Sequence, residues 1–401
     1  MTVPTEGAFA TGRYRNLFAE RGQPESEVEA KIAAAYASLF HGDPESEAVV
    51  LPGPTSEYGP TAYVMDVAHE DVRSEGMSYG MMIAVQLGQK RDFDAIWTWA
   101  KLHLYHADPH HPAQGFFSWR AKPDGRTIDE MPAPDGETYF ATALLFAAHR
   151  WGTGGGIFDY EMEARTLLSR MRHRAPISGV VNDGRKTTGV TLFNPEHKMV
   201  RFTPDTDDFT TNGDHTDPSY HLPAFYELWA LWGPPADRAF WAEAAQVSRD
   251  FLVAAAHPQT GLCPDYANFD GTPLAASWDA GTVHFRWDAW RVAMNWGMDT
   301  HWFAKDPRQT ALSNRLLGFF DGLGPEYPGT YTLAGEPLDD APAVGLIATN
   351  AVAALAATDP RAGAFVDRLY ATPIPTGKDR YYDGVLYLLS LLHLSGNFRI
   401  W

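Results

Sequence analysis

Four short runs of the chain set a carboxylate or a tyrosine among glycines and aromatics instead of in a solvated charge run. Glu75 lies in Ser74-Glu-Gly-Met-Ser-Tyr-Gly-Met-Met82 and Asp135 in Pro132-Ala-Pro-Asp-Gly-Glu-Thr-Tyr139. Tyr220 lies in Asp217-Pro-Ser-Tyr-His-Leu-Pro-Ala224 and Asp288 in His284-Phe-Arg-Trp-Asp-Ala-Trp-Arg291. Two separated carboxyl groups in an aromatic cleft suit acid–base hydrolysis of a glycosidic bond. One must keep its proton until it donates to the leaving oxygen, which takes a pKa raised by burial or by a like charge. Glu75, beside Met77, Tyr79 and Met81, has the apolar neighbours for that part. The other must stay ionised to activate water, and Asp288 has Arg286 and Arg291 close in sequence to hold its charge.

Each residue taken alone also fits a structural role. Acidic side chains favour first helical turns because they complement the helix dipole. Asp135-Gly136 suits an ordinary cap or turn, and Tyr220 suits a core position with a satisfied hydroxyl. What favours chemistry is the joint pattern of four such clusters.

Other site types fit less well. His103, His106, Asp108, His110 and His111 crowd one stretch, but no pair at i,i+4 on one helix face with a third ligand of clear identity marks a metal site. Gly154-Gly-Gly156 follows a helical segment, whereas a phosphate loop follows a strand. No Gly-x-Ser-x-Gly elbow is present for an acyl nucleophile. The Asp205–Asp208 and Asp339–Asp340 pairs read as solvated loop charges.

The elements that must position these residues are mostly helical. Apolar periodicity bounded by Gly, Pro and Asp predicts twelve helices. They lie near Glu25–Phe40, Ser74–Leu87, Arg91–Tyr105, Gly136–Arg150, Tyr160–Met171, Pro218–Trp232, Arg238–Ala256, His284–Trp296, His301–Phe320, Ala343–Ala357, Arg361–Tyr370 and Tyr381–His393. The even-numbered members are apolar nearly all round, as in Val385-Leu-Tyr-Leu-Leu-Ser-Leu-Leu392, and must sit inside other elements. The odd-numbered ones are amphipathic and suit an outer ring. Six inner and six outer helices make an all-α (α/α)6 barrel, read as one catalytic domain over residues 1–401. Its inner-helix entries cluster at one end, and the four chemical runs fall at four of them. Strand signals are weak; Gly179–Val181, Gly189–Phe193 and Met199–Phe202 predict a small hairpin on a loop.

Composition narrows the partners. Of 401 residues, 45% are hydrophobic and 13% aromatic, ample for a large core and suited to stacking against sugar rings. One cysteine, Cys263, excludes a disulfide scaffold, and a small buried apolar role fits it best. A net charge of −18 argues against nucleic acid as a partner. No run of 18 apolar residues offers a membrane span, and no leader pattern opens the chain, so a cytoplasmic location is expected. The acid–base mechanism calls for no cofactor and no metal.

The four runs, with Pro264-Asp-Tyr-Ala-Asn-Phe-Asp-Gly-Thr-Pro273 and Leu394-Ser-Gly-Asn-Phe-Arg399, resemble glycoside hydrolase family 8 from about Tyr63 to Trp401. Within it they resemble the branch of reducing-end xylose-releasing exo-oligoxylanases. The resemblance implies an (α/α)6 barrel, an inverting mechanism, and xylo-oligosaccharides as substrate. It implies Glu75 as proton donor, Asp288 as proton acceptor, Tyr220 as the tyrosine that holds the attacking water, and Asp135 as a further acid at the distorted sugar. Trp119 matches a sugar platform and Arg291 a site-proximal arginine, and Tyr79 joins them as a binding residue. Inversion places the two carboxyls about 6.5–9.5 Å apart. One departure stands out. The exo enzymes carry a histidine in a kinked loop before Val-Gly-Leu, whereas Leu338-Asp-Asp-Ala-Pro-Ala-Val-Gly-Leu346 has none. An endo-acting xylanase with an open cleft is the alternative on the same scaffold. A non-hydrolytic sugar binder or a sugar epimerase is more distant, since an epimerase needs histidine where carboxylates stand.

Overall fold

The computed structural model describes residues 3, 5–207, 211 and 213–401. Two short helices, α1 (Ala8–Thr11) and α2 (Leu17–Glu20), precede a set of twelve. The outer members are α3 (Glu25–His41), α5 (Lys90–His103), α7 (Tyr160–His173), α9 (Arg238–Ala255), α11 (Arg308–Leu323) and α13 (Ala362–Ala371). The inner members are α4 (Ser74–Leu87), α6 (Pro134–Trp151), α8 (Pro223–Trp232), α10 (Arg291–Trp302), α12 (Val344–Ala353) and α14 (Arg380–Leu394).

Burial follows the predicted parity. Every residue of α10 is buried, whereas α7 buries only Tyr160, Ala164, Leu167, Leu168 and Met171, a single stripe. Each inner helix packs on the next, and α14 returns to α4, closing the ring of an (α/α)6 barrel. Each outer helix packs against the inner partner at its side, with α3 covering α14. Glycine permits the tightest of these approaches. A Cβ at Gly297 of α10 would stand 2.3 Å from the Val352 carbonyl oxygen of α12, so no side chain fits there.

Three boundaries differ from the sequence reading. The segment from His284 enters as extended chain, because Phe285 pairs with Tyr331 in a β-bridge. A 3₁₀ turn at Trp287–Trp290 and then α10 follow it, running on to Trp302. The next helix therefore starts at Arg308, after Pro307, and not at His301. The third boundary lies at Pro218–Tyr220, a 3₁₀ turn separated from α8, whose first residue is Pro223.

The sequence reading also lacks a five-stranded antiparallel sheet, ordered β1 (Val50–Pro52), β2 (Ala62–Asp66), β3 (Asp71–Arg73), β4 (Arg120–Ala121) and β5 (Thr127–Asp129). Its strands are too short for alternation to stand out. The sheet matters to the site. β3 pairs Arg73 with Arg120 of β4, and it hands the chain straight to Ser74 and Glu75. The Ser74 amide donates to the Trp119 carbonyl at 3.0 Å. In place of one hairpin there are two, β6 (Ile177–Val180) with β7 (Lys186–Gly189), and β8 (Phe193–Asn194) with β9 (Met199–Val200).

Asp205 is not a solvated loop charge: it is buried and accepts from Thr187 and Arg185, while Asp208 lies outside the described residues. Cys263 is buried, as expected. The His106 and His111 rings stack on each other, and their nitrogens bond to Ser118, Glu130 and the Ala113 amide. Among the described residues no helix is long and apolar enough to cross a membrane.

Helices α8 and α10 are tied by a buried ion cluster. Arg249 of α9 donates to Glu227 of α8 at 2.8 Å and to both carboxylate oxygens of Asp299 of α10, at 2.8 and 2.9 Å. Gln309 of α11 completes the shell of Asp299 at 2.7 Å. Removing the cation leaves Asp299 buried with Gln309 as its remaining side-chain partner and Glu227 with Lys305 alone, a loss of about 3–5 kcal/mol. Arg249→Ala is therefore expected to lower the thermal or urea midpoint strongly. Calorimetry of wild type and variant checks it.

Candidate active site

The inner-helix entries do converge, and Arg291 is where they meet. It opens α10, and its side chain is 2% exposed. Its Nη1 donates to Glu75 Oε2 at 2.8 Å, Asp135 Oδ2 at 2.8 Å and the Tyr79 hydroxyl at 2.7 Å. Its Nη2 lies 3.1 Å from Asp288 Oδ1 and 3.9 Å from Asp217 Oδ2. One guanidinium thus joins α4, α6, α10 and the turns before α8 and α10.

Local sequence explains each placement. Glu75 is the second residue of α4, and Tyr79, one turn on, shares its face. Asp135 follows Pro134 at the start of α6 and accepts from the Gly136 amide at 2.8 Å. Asp288 sits in the turn that enters α10, three residues before Arg291, where its carboxylate reaches the guanidinium but stays 33% exposed. Arg286 does not hold Asp288. Its Nε donates to Asp265 at 2.8 Å and its Nη2 to Asp279 at 2.9 Å, because the extended backbone at Phe285–Arg286 turns it away.

The remaining predicted residues line the same mouth. The Tyr220 ring lies over the Arg291 guanidinium, 5.8 Å from its centroid, and parallel to Phe202. The Trp119 ring is half-buried between Arg73 and Arg120, next to the Ser74–Glu75 entry.

Several site residues escaped the sequence reading. Tyr381, second in α14, donates to Glu75 Oε1 at 2.9 Å. The parity rule points there too, since Arg380-Tyr-Tyr382 is also an inner-helix entry. Tyr382 bonds to the Trp287 carbonyl at 3.0 Å, and the Trp287 ring, 52% exposed, stands beside Asp288 as a flat apolar surface. Asp217 and Asp265 are buried carboxyls within runs already singled out, but nothing in their spacing marked them. Glu137 is wholly buried and accepts from the Phe117 amide at 2.9 Å, so it fixes the strand leading to Trp119.

Burial dominates the electrostatics. It raises Glu75 to about 7, aided by the charges of Asp135 and Asp288 and opposed by Arg291 and Arg73. Burial also raises Asp135 against the pull of Arg291, and it lifts Asp265 to about 7. The site therefore holds a carboxylic acid that keeps its proton near neutrality, within reach of the same cation as a half-exposed carboxylate. Glu75 meets Nη1 and Asp288 lies beside Nη2 of the same guanidinium, an arrangement of two carboxyls that general acid–base chemistry can use.

Barrel and centre together define a carbohydrate-cleaving enzyme with side-chain carboxyls gathered at the barrel mouth. Residues 63–396 match the model of glycosyl hydrolases family 8. The chain belongs to that family, and it is a glycoside hydrolase. It is 42% identical to the reducing-end xylose-releasing exo-oligoxylanase Rex8A of Paenibacillus barcinonensis, over 100% of both chains. It is 43% identical to the reducing end xylose-releasing exo-oligoxylanase of Halalkalibacterium halodurans, over 100% of this chain and 98% of the other. A family 8 enzyme of Teredinibacter turnerae, solved as a xylobiose complex, is 56% identical with a TM-score of 0.96, covering 98% of this chain and 99% of that one.

Two expectations follow. Glu137 is lifted by burial from about 4.5 to about 8. A raised carboxyl favours the folded state below the unfolded pKa, and that stability is lost as pH rises toward the folded value. Glu137→Gln should therefore gain stability over wild type across that window and match it in acid; paired melts as a function of pH check this. A Cβ on Gly76 would stand 2.6 Å from the Tyr381 ring and hydroxyl. Gly76→Ala should push that ring off Glu75 and lower turnover by about tenfold, since a partner that orients the acid is lost; steady-state rates and a crystal structure of the variant check it.

Proposed function

We propose that the protein hydrolyses β-1,4-xylosidic bonds of short xylo-oligosaccharides with inversion, releasing xylose from the reducing end. The observation that carries this is the Arg291 centre, where Glu75 meets one terminal nitrogen and Asp288 lies beside the other at the barrel mouth. Glu75 gives its proton to the glycosidic oxygen as the bond to the anomeric carbon breaks. Asp288 takes a proton from the water that attacks that carbon from the opposite face. Tyr220 orients the water, and Asp135, held by Arg291, faces the distorted sugar. Trp119 and Trp287 offer rings for stacking. Afterwards Glu75 is ionised and Asp288 protonated, and exchange with solvent restores both. Each of these steps uses this chain's own side chains, so no metal or cofactor enters. The full-length relatives named as reducing-end enzymes support the choice of substrate and of the end attacked.

A specific observation favours a second reading, cleavage at internal bonds. The stretch 338–346 carries no histidine. It is tied back to its own loop by Leu338 N to Thr330 O at 3.0 Å, Gly329 N to Ala341 O at 2.9 Å and Thr330 Oγ1 to Asp339 at 2.8 Å. The Teredinibacter turnerae relative was also solved as a xylanase with xylohexaose. Xylohexaose labelled at the reducing end separates the two. Early labelled xylose and stepwise shortening mark reducing-end release, and mixed labelled fragments mark internal cuts.

Glu75→Gln and Asp288→Asn should each lower turnover about 10²–10⁴-fold while xylo-oligosaccharide binding by calorimetry persists. Full activity in both variants would sink the assignment. Because Glu75 must enter each cycle protonated, turnover should fall as pH rises through about 7, and a pH–rate profile of the wild type checks it.

A further inference from the structure

Four carboxyls surround the guanidinium of Arg291: Glu75, Asp135, Asp288 and Asp217. The neighbouring cations are committed elsewhere, Arg73 to Asp66 and Asp71, Arg286 to Asp265 and Asp279. With all four ionised, the buried mouth would carry three uncompensated negative charges, so protons must reside on some of them. Glu75 holds one as the acid. Asp135 accepts a charge-assisted bond from Arg291 at 2.8 Å, and Asp288 is part-exposed to water with Arg291 Nη2 at 3.1 Å, so each has a compensation.

Asp217 differs from each. It is wholly buried, and among the described residues its Oδ1 accepts only the Ser219 amide, at 2.6 Å, and its Oδ2 meets no donor. It also lies farthest from Arg291, at 3.9 Å. We propose that Asp217 is a positioning residue that stays a neutral carboxylic acid, leaving the charge of Arg291 to Asp135 and Asp288 and so keeping Asp288 ionised as the base. This rests on the acid–base roles proposed above. The groups facing it agree. Asp288, Asp265, Tyr220, Tyr266 and Cys263 supply no cation, Arg291 is shared, and burial followed by the charge of Asp288 pushes Asp217 well above the ordinary carboxylate range. In the turn before α8, Asp217 also bonds the backbone that presents Tyr220, so it bears on both the base and the water-holding tyrosine.

The test combines infrared spectra with kinetics of the purified enzyme. Wild type minus Asp217→Asn at neutral pH should show a protonated carboxyl band that persists when the pH is raised past the fall in activity. Asp217→Ala should lower kcat about tenfold or more with KM within about twofold, and Asp217→Asn, neutral and isosteric, should restore kcat and the wild-type pH profile. Absence of the difference band overturns the proposal. So does an Asp217→Asn enzyme as slow as Asp217→Ala, or one whose acid limb moves by a unit. Should Glu75→Gln and Asp288→Asn both stay active, the roles above fall, while the infrared band still reports the proton on Asp217.

Discussion

The site turns on one cation in a place that rejects cations and anions alike. Arg291 is buried at the mouth of the barrel, where a lone charge is costly, and it is tolerated because Glu75, Asp135 and the Tyr79 hydroxyl accept from its Nη1 and Asp288 lies 3.1 Å from its Nη2. Those carboxyls are in turn tolerated because the guanidinium is there. The balance is unequal, and the inequality is the useful part. Burial raises Glu75 and Asp135 even against the pull of the guanidinium, while Asp288, beside the same cation, keeps a third of its side chain open to water. A single arginine thus faces chemically similar groups held in unlike surroundings.

The barrel exists to bring those groups together. Residues separated by more than two hundred positions meet only because inner helices start at one end, and the ring holds those starts in register. The small sheet does a related task at one side: by pairing Arg73 with Arg120 it locks the step into α4 against the strand that carries Trp119. The acid and a neighbouring aromatic ring are thereby fixed by backbone hydrogen bonds instead of by loops.

Much of this is legible in the chain because inner helices are apolar on every side and so betray themselves by composition alone. Once they are marked, any polar residue at their entries is conspicuous, which is how Glu75, Asp135 and Asp288 stand out. Tyr381 obeys the same logic and needed only the last entry to be inspected. The sheet was hidden because two- to five-residue strands carry no readable period. Arg286 misled because proximity in sequence says nothing of direction when the backbone between is extended. Asp217 and Asp205 show the general limit. Whether a carboxylate is buried depends on what packs over it from far along the chain, and no local pattern records that.

The closure of the ring by α14 against α4 has a consequence for how the enzyme is made. Glu75 emerges early in synthesis, but its hydrogen-bond partner Tyr381 lies 306 residues later. Domains begin to fold from the N-terminus while the chain is still being made. Even so, every nascent form lacks the last wall of the site until the final helix has left the ribosome. A product truncated before that helix has its acid group and no finished chamber around it. The chamber around Glu75 is thus closed only once α14 has been made, in one step late relative to the acid group itself.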